Sequence, residues 1–406
     1  MCGVTGTISS SAIASAFTST PQTINWPDPS VSDPNKIDDL AHAAINSRGG
    51  YYSAASPDQF AAALDAALDD VIARTGAAAA VSVANTDVSI DNISYASSYN
   101  SGNWSGQLTA YPIDLTTGVV LTTANWTAQS QLNSRTTARN IATYSGSTGI
   151  QFQPNSAVTT TKLTTTQEAT LNSATTPPGP SDGAAVLDYI RGNRAGEGTS
   201  YRTRANLLGD IVSAEPVVVT TPAFSYGDAG YATFKAAQSV TATTTPLFTP
   251  TRIKTVFQGA NDGMVHAFLA VDGSENWSYI PSFFLSTTAP SQLRSLSDKD
   301  NFAHHFFVDA TPAVGDVDFD KTSVHPAGTS PTPVPTWRTI LVGGLGKGGR
   351  GYYALDVTTP TVGVTTPEAD AASKVLWEFP VATTTYGAIS NVTRPIGSAT
   401  TGSLAM

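Results

Sequence analysis

The chain has 406 residues and a formal net charge of −10, with only 13% of its residues charged. That length supports a large core and more than one folding unit, while the acidic balance and the lack of a clustered Lys/Arg stripe exclude a nucleic-acid backbone as partner. A single cysteine, Cys2, excludes an intrachain disulfide and a thiolate-held zinc cluster, and no apolar run reaches the roughly 18 residues that a membrane-spanning helix needs.

The N-terminus, Met1-Cys-Gly-Val-Thr-Gly-Thr7, has neither the basic nor the apolar region of a secretory signal, so either the protein is cytosolic or the chain lacks its natural start. Ile37 to Ile45 has helical spacing, with Ile37, Leu40 and Ala44 on one face. Arg48 to Ser53 reads as a short strand entered through a glycine pair. A second helix follows: Ser56 caps it, Pro57 suits its first position, Gln59 completes a capping box, and Phe60, Leu64, Leu68, Val71 and Ile72 form its apolar stripe before Gly76. Helix, strand and helix together read as the tail of a larger α/β domain, residues 1–76.

Residues 77–406 form the second expected domain. Helical periodicity nearly vanishes, Thr and Val favour pleated surfaces, and 33 Gly with 25 Pro supply turns. Ala77 to Tyr111 alternates as strands. Leu115 to Pro180, dominated by Thr, Ser, Asn and Gly, predicts strands at most and otherwise long surface loops. Leu187 to Arg191 predicts one or two helical turns, and Leu207 to Val212 a strand entry. Strand-sized runs follow at 217–220, 252–259, 264–269, 277–280, 305–309, 337–343, 351–357 and 375–379.

Within this domain one word repeats. Val256-Phe-Gln-Gly-Ala-Asn-Asp-Gly-Met-Val-His-Ala-Phe268 joins a strand to a tight turn and to a second strand ending in a small residue and an aromatic, with Trp277 later. Ile340 to Asp356, followed by Trp377, is a second copy; Trp104 to Asp114, followed by Trp126, is a fainter third. A repeated strand-turn-strand unit with aromatic punctuation predicts a β-propeller, whose blades bury their faces only against one another.

An ordered series of words carries a resemblance to a known family. It runs from Ile37-Asp-Asp-Leu-Ala-His-Ala-Ala-Ile-Asn-Ser-Arg-Gly-Gly-Tyr-Tyr-Ser-Ala54 through Trp104-Ser-Gly-Gln-Leu-Thr-Ala-Tyr111, Tyr189-Ile-Arg-Gly192, Tyr201-Arg-Thr-Arg204 and Leu207-Leu-Gly-Asp-Ile-Val212. It continues through Ala260 to Phe268, Tyr279-Ile-Pro281, His305-Phe-Phe-Val-Asp309 and Trp337 to Val357. The chain resembles the PilC/PilY family of type IV pilus biogenesis factors and tip-associated adhesins. The resemblance implies a mainly β fold: a modified, quinoprotein-like β-propeller, here incomplete, preceded by a remnant of a von Willebrand factor A-like domain. It also implies a non-enzymatic role in pilus assembly, pilus extension and surface adhesion, with calcium binding, and with pilins, the pilus machinery and host or abiotic surfaces as partners. The location implied is extracellular, at the pilus tip or the outer membrane, reached through the periplasm.

The chain departs from the family pattern in several places. The adhesion motif Asp-x-Ser-x-Ser of the A-like domain is not in this sequence, nor is the Asp-rich segment usual further along the propeller; Glu215 stands where a small residue is usual and Ala310 where Gly is usual. The expectation is a fragment or shortened product whose incomplete ring leaves two strand edges unpaired, lowering solubility and cooperativity.

Chemistry-bearing constellations are few. Asp316, Asp318 and Asp320 stand at alternate positions like the start of a calcium loop, but Lys321 and Ala327 occupy the places of its Gly and bidentate Glu. An acidic strand-end loop beside Pro312 is the competing reading. His304 and His305, as neighbours on a strand, point apart and cannot easily share a metal, so they and His266 read as core or interface residues. Gly343 to Gly351 lacks phosphate-loop order and reads as a hairpin, and Asn261-Asp262-Gly263 as a turn. No nucleophile-elbow pattern singles out a triad. Two alternatives stay open: a quinone-dependent dehydrogenase, against which one cysteine forbids the vicinal disulfide many such enzymes use, and a generic envelope scaffold.

Overall fold

The computed structural model describes residues 6–9, 24–46, 76–83 (backbone only), 93–155, 161–172, 182–238, 252–285, 291–319, 335–361 and 363–380. The expected strand at 48–53, the helix opened by Ser56 and Pro57, and residues 320–334, Asp320 among them, lie outside these. Contacts divide the chain into two units, Met1–Gly76 and Ala77–Met406.

In the first unit the expected helix is present as α1 (Asp33–Asn46), but it buries Asn35, Asp38 and Ala41. Leu40, expected on the covered face, is 65% exposed. A polar anchor decides the orientation: the Asp38 carboxylate accepts hydrogen bonds from the Thr7 amide at 2.8 Å, the Thr7 hydroxyl at 2.5 Å and the Ile8 amide at 3.2 Å. A buried carboxylate satisfied by three donors outranks a weak apolar stripe.

The second unit is mainly β and holds three open sheets. The first contains β1 (Gly76–Val83), β2 (Ile93–Asn100), β3 (Ser105–Pro112) and β4 (Trp126–Thr127) in that order. The second is six-stranded, assembled from β5 (Ile141–Tyr144), β6 (Gly149–Gln151), β7 (Val217–Val219), β8 (Thr255–Gly259), β9 (Val265–Leu269) and β10 (Glu275–Tyr279), ordered β6-β5-β10-β9-β8-β7. Its β7 to β10 half is an antiparallel meander, extended at β10 by parallel pairing with β5. The third is a complete four-stranded meander of β11 (Ala313–Asp318), β12 (Trp337–Gly344), β13 (Tyr352–Asp356) and β14 (Val375–Phe379).

One cross-strand pair recurs in all three sheets. Ala110 stands opposite Trp126, Ala267 opposite Trp277 and Ala354 opposite Trp377. Directly opposed side chains share one face of a sheet, so a small residue leaves room for the indole to lie over it. Each buried pair faces the next sheet. Ala110 and Trp126 join a core with Val256 and Phe268 of the second sheet; Ala267 and Trp277 join one with Leu341, Tyr353 and Leu355 of the third. Ala354 lies on the opposite side of β13 from Tyr353 and Leu355 by strand alternation, and its partner Trp377 is 41% exposed. Trp126 also grips the second sheet directly, its indole N–H donating to the Ala270 carbonyl at 2.9 Å. Gly273 (φ +73°) lies against that indole, where a Cβ would collide with the ring.

Several expected elements are corrected. The stretch after Leu115 holds helices α2 (Ala128–Ser134) and α3 (Thr165–Ala169) as well as β4 to β6. Helix α4 (Gly183–Ile190) covers the expected turns near Leu187, and α5 (Tyr231–Gln238) and α6 (Pro367–Ser373) are further helices. Residues 305–309 are not a strand. The Phe307 amide donates to Asn261 Oδ1 at 2.9 Å and the Asp309 amide to the Leu345 carbonyl at 3.1 Å, so the segment threads between elements as a buried loop. A short apolar run carries no periodicity to tell these cases apart. Leu207 to Val212 is likewise a loop, touching β3 through a single Ser105–Gly209 bridge.

A buried ion pair ties the segment after α4 to the helix between β13 and β14. Arg191, just after α4, pairs with Glu368 of α6 at 2.5 Å and donates to the carbonyls of Phe152 at 2.6 Å and Arg139 at 2.9 Å. Glu368 also accepts from Gln153 and from the Ile141 amide. Arg191→Met therefore strands a buried carboxylate and is expected to cost about 3–5 kcal/mol, with much of the loss recovered in the Arg191→Met/Glu368→Met double variant. Denaturant unfolding checks this; a neutral single variant contradicts it.

Candidate functional site

A cleft with about 30 Å³ of room opens where the β2–β3 turn, the segment after α4, the β8–β9 turn and the loop ending at His305 come together. Most contributors arrive on the quoted sequence words, while Phe302 and His304 stand just ahead of the word that opens at His305. Trp104 comes from the β2–β3 turn; Tyr189, Arg202 and Arg204 from the segment around and after α4; Asp210 from the loop touching β3; Asn261 and Asp262 from the β8–β9 turn; His304 and His305 from the threaded loop. The close approach of the 207–210 loop to β3 needs Gly106, whose added Cβ would strike the Gly209 carbonyl.

The floor of the cleft is a buried polar chain. Asp262 accepts from the amides of Gly209 at 3.0 Å and Met264 at 3.2 Å, and both its oxygens lie 3.1 Å from His266 Nε2. His266 Nδ1 meets Glu275 at 2.8 Å, and Glu275 is clamped by Arg139 through two bonds of 2.7 Å. Two cations and two carboxylates thus balance in the interior. Burial alone would push the His266 imidazole down; the Asp262 charge and the hydrogen bonds to Asp262 and Glu275 outweigh it and raise its pKa to about 9. Burial likewise opposes ionisation of Glu275, yet Arg139 and His266 hold it far below the usual carboxylate range. Asp262 is also lowered, burial being overcome chiefly by His266. His266 is therefore a core residue, held as an imidazolium by the carboxylates on its two ring nitrogens, and it stiffens the hairpin.

Toward the rim, Asp210 accepts from Asn261 Nδ2 at 2.7 Å and lies 2.8 Å from His304 Nε2. Trp104 stacks on the His304 ring with centroids 3.7 Å apart and takes φ +54°, a left-handed conformation rare for a bulky side chain. Arg204 pairs with Glu197 at 2.7 Å and lies 3.7 Å over the Tyr189 ring. Arg202 lies 3.7 Å over Phe302. The expected strand pair His304–His305 is instead in a loop: His304 turns onto Asp210 while His305 is exposed.

The expected calcium candidates stand apart from this cleft. Asp316 is in β11 rather than a strand-end loop, and its carboxylate accepts from the Thr339 hydroxyl at 2.6 Å and the Tyr231 hydroxyl at 2.7 Å. Asp318 accepts from the Thr336 amide at 2.8 Å. The described residues here make strand anchors, and among the described residues no group of three or more His, Cys, Asp or Glu is arranged to hold a metal ion. Gly343 and Gly344 end β12, paired with β13, and Leu345 to Gly351 form the β12–β13 connection, with Gly346 at φ +61°.

Trp104 and Arg202 were legible only as letters within words; nothing in their spacing marks them as neighbours. The Arg139–Glu275 pair spans 136 positions, and local periodicity carries no signal of it.

The titration of the floor is testable. His266 has its folded pKa raised, so its contribution is complete below the unfolded value of about 6.5 and is lost as pH rises through 9. The carboxylates have theirs lowered, so their contribution is complete above roughly 4.5 and is lost on acidification. Stability is expected to peak between these limits and to fall by roughly 3 kcal/mol from pH 6.5 to beyond 9. Melting curves across pH check this: His266→Gln should melt several degrees lower at pH 6.5 and lose most of the alkaline slope. A parent melting temperature flat to pH 10 contradicts it.

Comparison with known proteins places these features. The family model described as the PilY1 beta-propeller domain matches residues 208–391. The Type IV pilus biogenesis factor PilY1 of Pseudomonas aeruginosa strain PAO1 is 31% identical over 375 residues, which is 88% of this chain and 29% of that protein. The same factor of strain UCBPP-PA14 is 34% identical over 366 residues, 85% of this chain and 28% of its own length. A PilY1 homolog of Xylella fastidiosa is 29% identical over 322 residues, 77% of this chain and 22% of that protein. The chain thus spans under a third of the length of these curated relatives. No solved structure matches it. Ordered words, a mainly β unit and these matches agree: the chain belongs to the PilC/PilY family and carries its PilY1 β-propeller domain.

Proposed function

We propose that this chain acts in type IV pilus biogenesis as a non-enzymatic binding platform, an assembly factor and tip-associated adhesin working outside the cell. The observation that carries this reading is that six of the words shared with the family, scattered from Trp104 to His305, contribute to one cleft. Curated relatives are named type IV pilus biogenesis factors. Residues that hold one another in hydrogen bonds and stacks, as Asp210, Asn261 and His304 do, build a shaped surface rather than an activated nucleophile. No helix among the described residues is long and apolar enough to cross a membrane.

The finer architecture belongs to the same proposal: a quinoprotein-like propeller, with residues 1–76 as the remnant of a von Willebrand factor A-like domain. The third sheet supports it, being a four-stranded meander of the kind that makes a blade. Calcium modulation is an implication of the family, and the hydrogen-bonded Asp316 and Asp318 supply no preformed cradle for it.

Capture of purified minor pilins by the immobilised chain tests the proposal, with calcium and with chelator. Specific capture is expected, stronger in calcium if modulation holds, and weaker by at least fivefold when the rim is altered by Trp104→Ala. Failure to capture minor pilins in either condition overturns the pilus reading; equal capture in both removes calcium from it.

A further inference from the structure

We infer that the cleft receives a single carboxylate group presented by a polypeptide partner. The inference rests on reading the cleft as a binding site, but not on that partner being a pilin.

The charge inventory of the walls selects the sign. Asp262 is matched by His266, Asp210 lies against His304 and Asn261, and Arg204 is matched by Glu197. Arg202 is different. Its Nε donates to the Leu296 carbonyl at 3.3 Å and its guanidinium lies over Phe302, but no carboxylate pairs with it among the described residues. A guanidinium held over a ring is restrained in position while its Nη edge can still present the planar fork that matches a carboxylate. Exposed His305 lines the same cleft and adds a second nitrogen donor when protonated.

Size and strain narrow the choice. About 30 Å³ holds on the order of two or three waters, room for a small head group rather than a bulky one. Trp104, held left-handed against His304, forms an indole wall at this spot. Backbone strain of that kind clusters at ligand clamps. The occupant that fits is a Glu or Asp side chain, or a chain terminus, with apolar stem against Trp104 and Phe302 and head on Arg202.

The test uses the whole chain and small probes, read from the imidazole resonances of His304 and His305. N-acetylglutamic acid α-amide presents a side-chain carboxylate, N-acetylglycine a terminal one, and N-acetylglutamine amide neither. Saturable shifts are expected with one or both carboxylates and none with the amide; the stronger carboxylate identifies the source. Arg202→Gln should weaken binding at least fivefold without moving the melting temperature by more than a few degrees. Arg202→Lys keeps the charge but loses the fork, should bind between the two, and serves if the glutamine variant does not fold. Shifts that never saturate, that are equal for the glutamine amide, or that persist undiminished in both Arg202 variants overturn the inference. Because no pilin is present, this failure is distinct from failure of pilin capture.

Discussion

A small residue facing a tryptophan across two strands is the constraint on which the second unit depends. An indole needs a flat space on the sheet, and only a methyl-sized neighbour leaves one. Where Ala110 and Ala267 supply it, Trp126 and Trp277 settle onto their sheets and offer broad apolar faces to the sheet beyond. Stacking follows from this contact more than from hydrogen bonding, because each ladder is complete within its own sheet. The six-stranded sheet, covered on both faces, is accordingly buried along the whole of β8 and β10.

The cleft is a by-product of that stacking that has become chemically specific. Consecutive sheets meet at their cores, and at one end the 207–210 loop packs between the β2–β3 and β8–β9 turns, with the cleft as a polar wedge beside it. Polar groups there cannot be left unpaired without cost. Asp262, His266, Glu275 and Arg139 answer that demand as a neutral chain running from the wedge into the core. The same residues that fix the hairpin thus fix the floor of the site, and the rim inherits its rigidity.

Much of this was legible in the sequence, and the misses share causes. The repeated hairpins, the Trp on a later strand and the Gly-rich β12–β13 connection are local signals, and the structure shows each. The face of α1 was misjudged because Asp38 draws its partners from Thr7 and Ile8, a choice no periodicity encodes. His305 to Asp309 read as a strand because apolarity reports burial and not backbone pairing. Asp316 read as a loop residue because its hydroxyl partners, Tyr231 and Thr339, are far away in sequence. The cleft was spelled out in words, yet their meeting point depends on how sheets stack and could not be read from the words themselves.

A double-mutant cycle across one key pair tests the central claim most directly. Ala267→Leu should overpack the space under Trp277 and cost about 1–3 kcal/mol, while combining it with Trp277→Leu should recover at least about 1 kcal/mol relative to the sum of the two single losses. Strictly additive losses, or a harmless Ala267→Leu, would show that the alanine and the indole do not hold the sheets in register together.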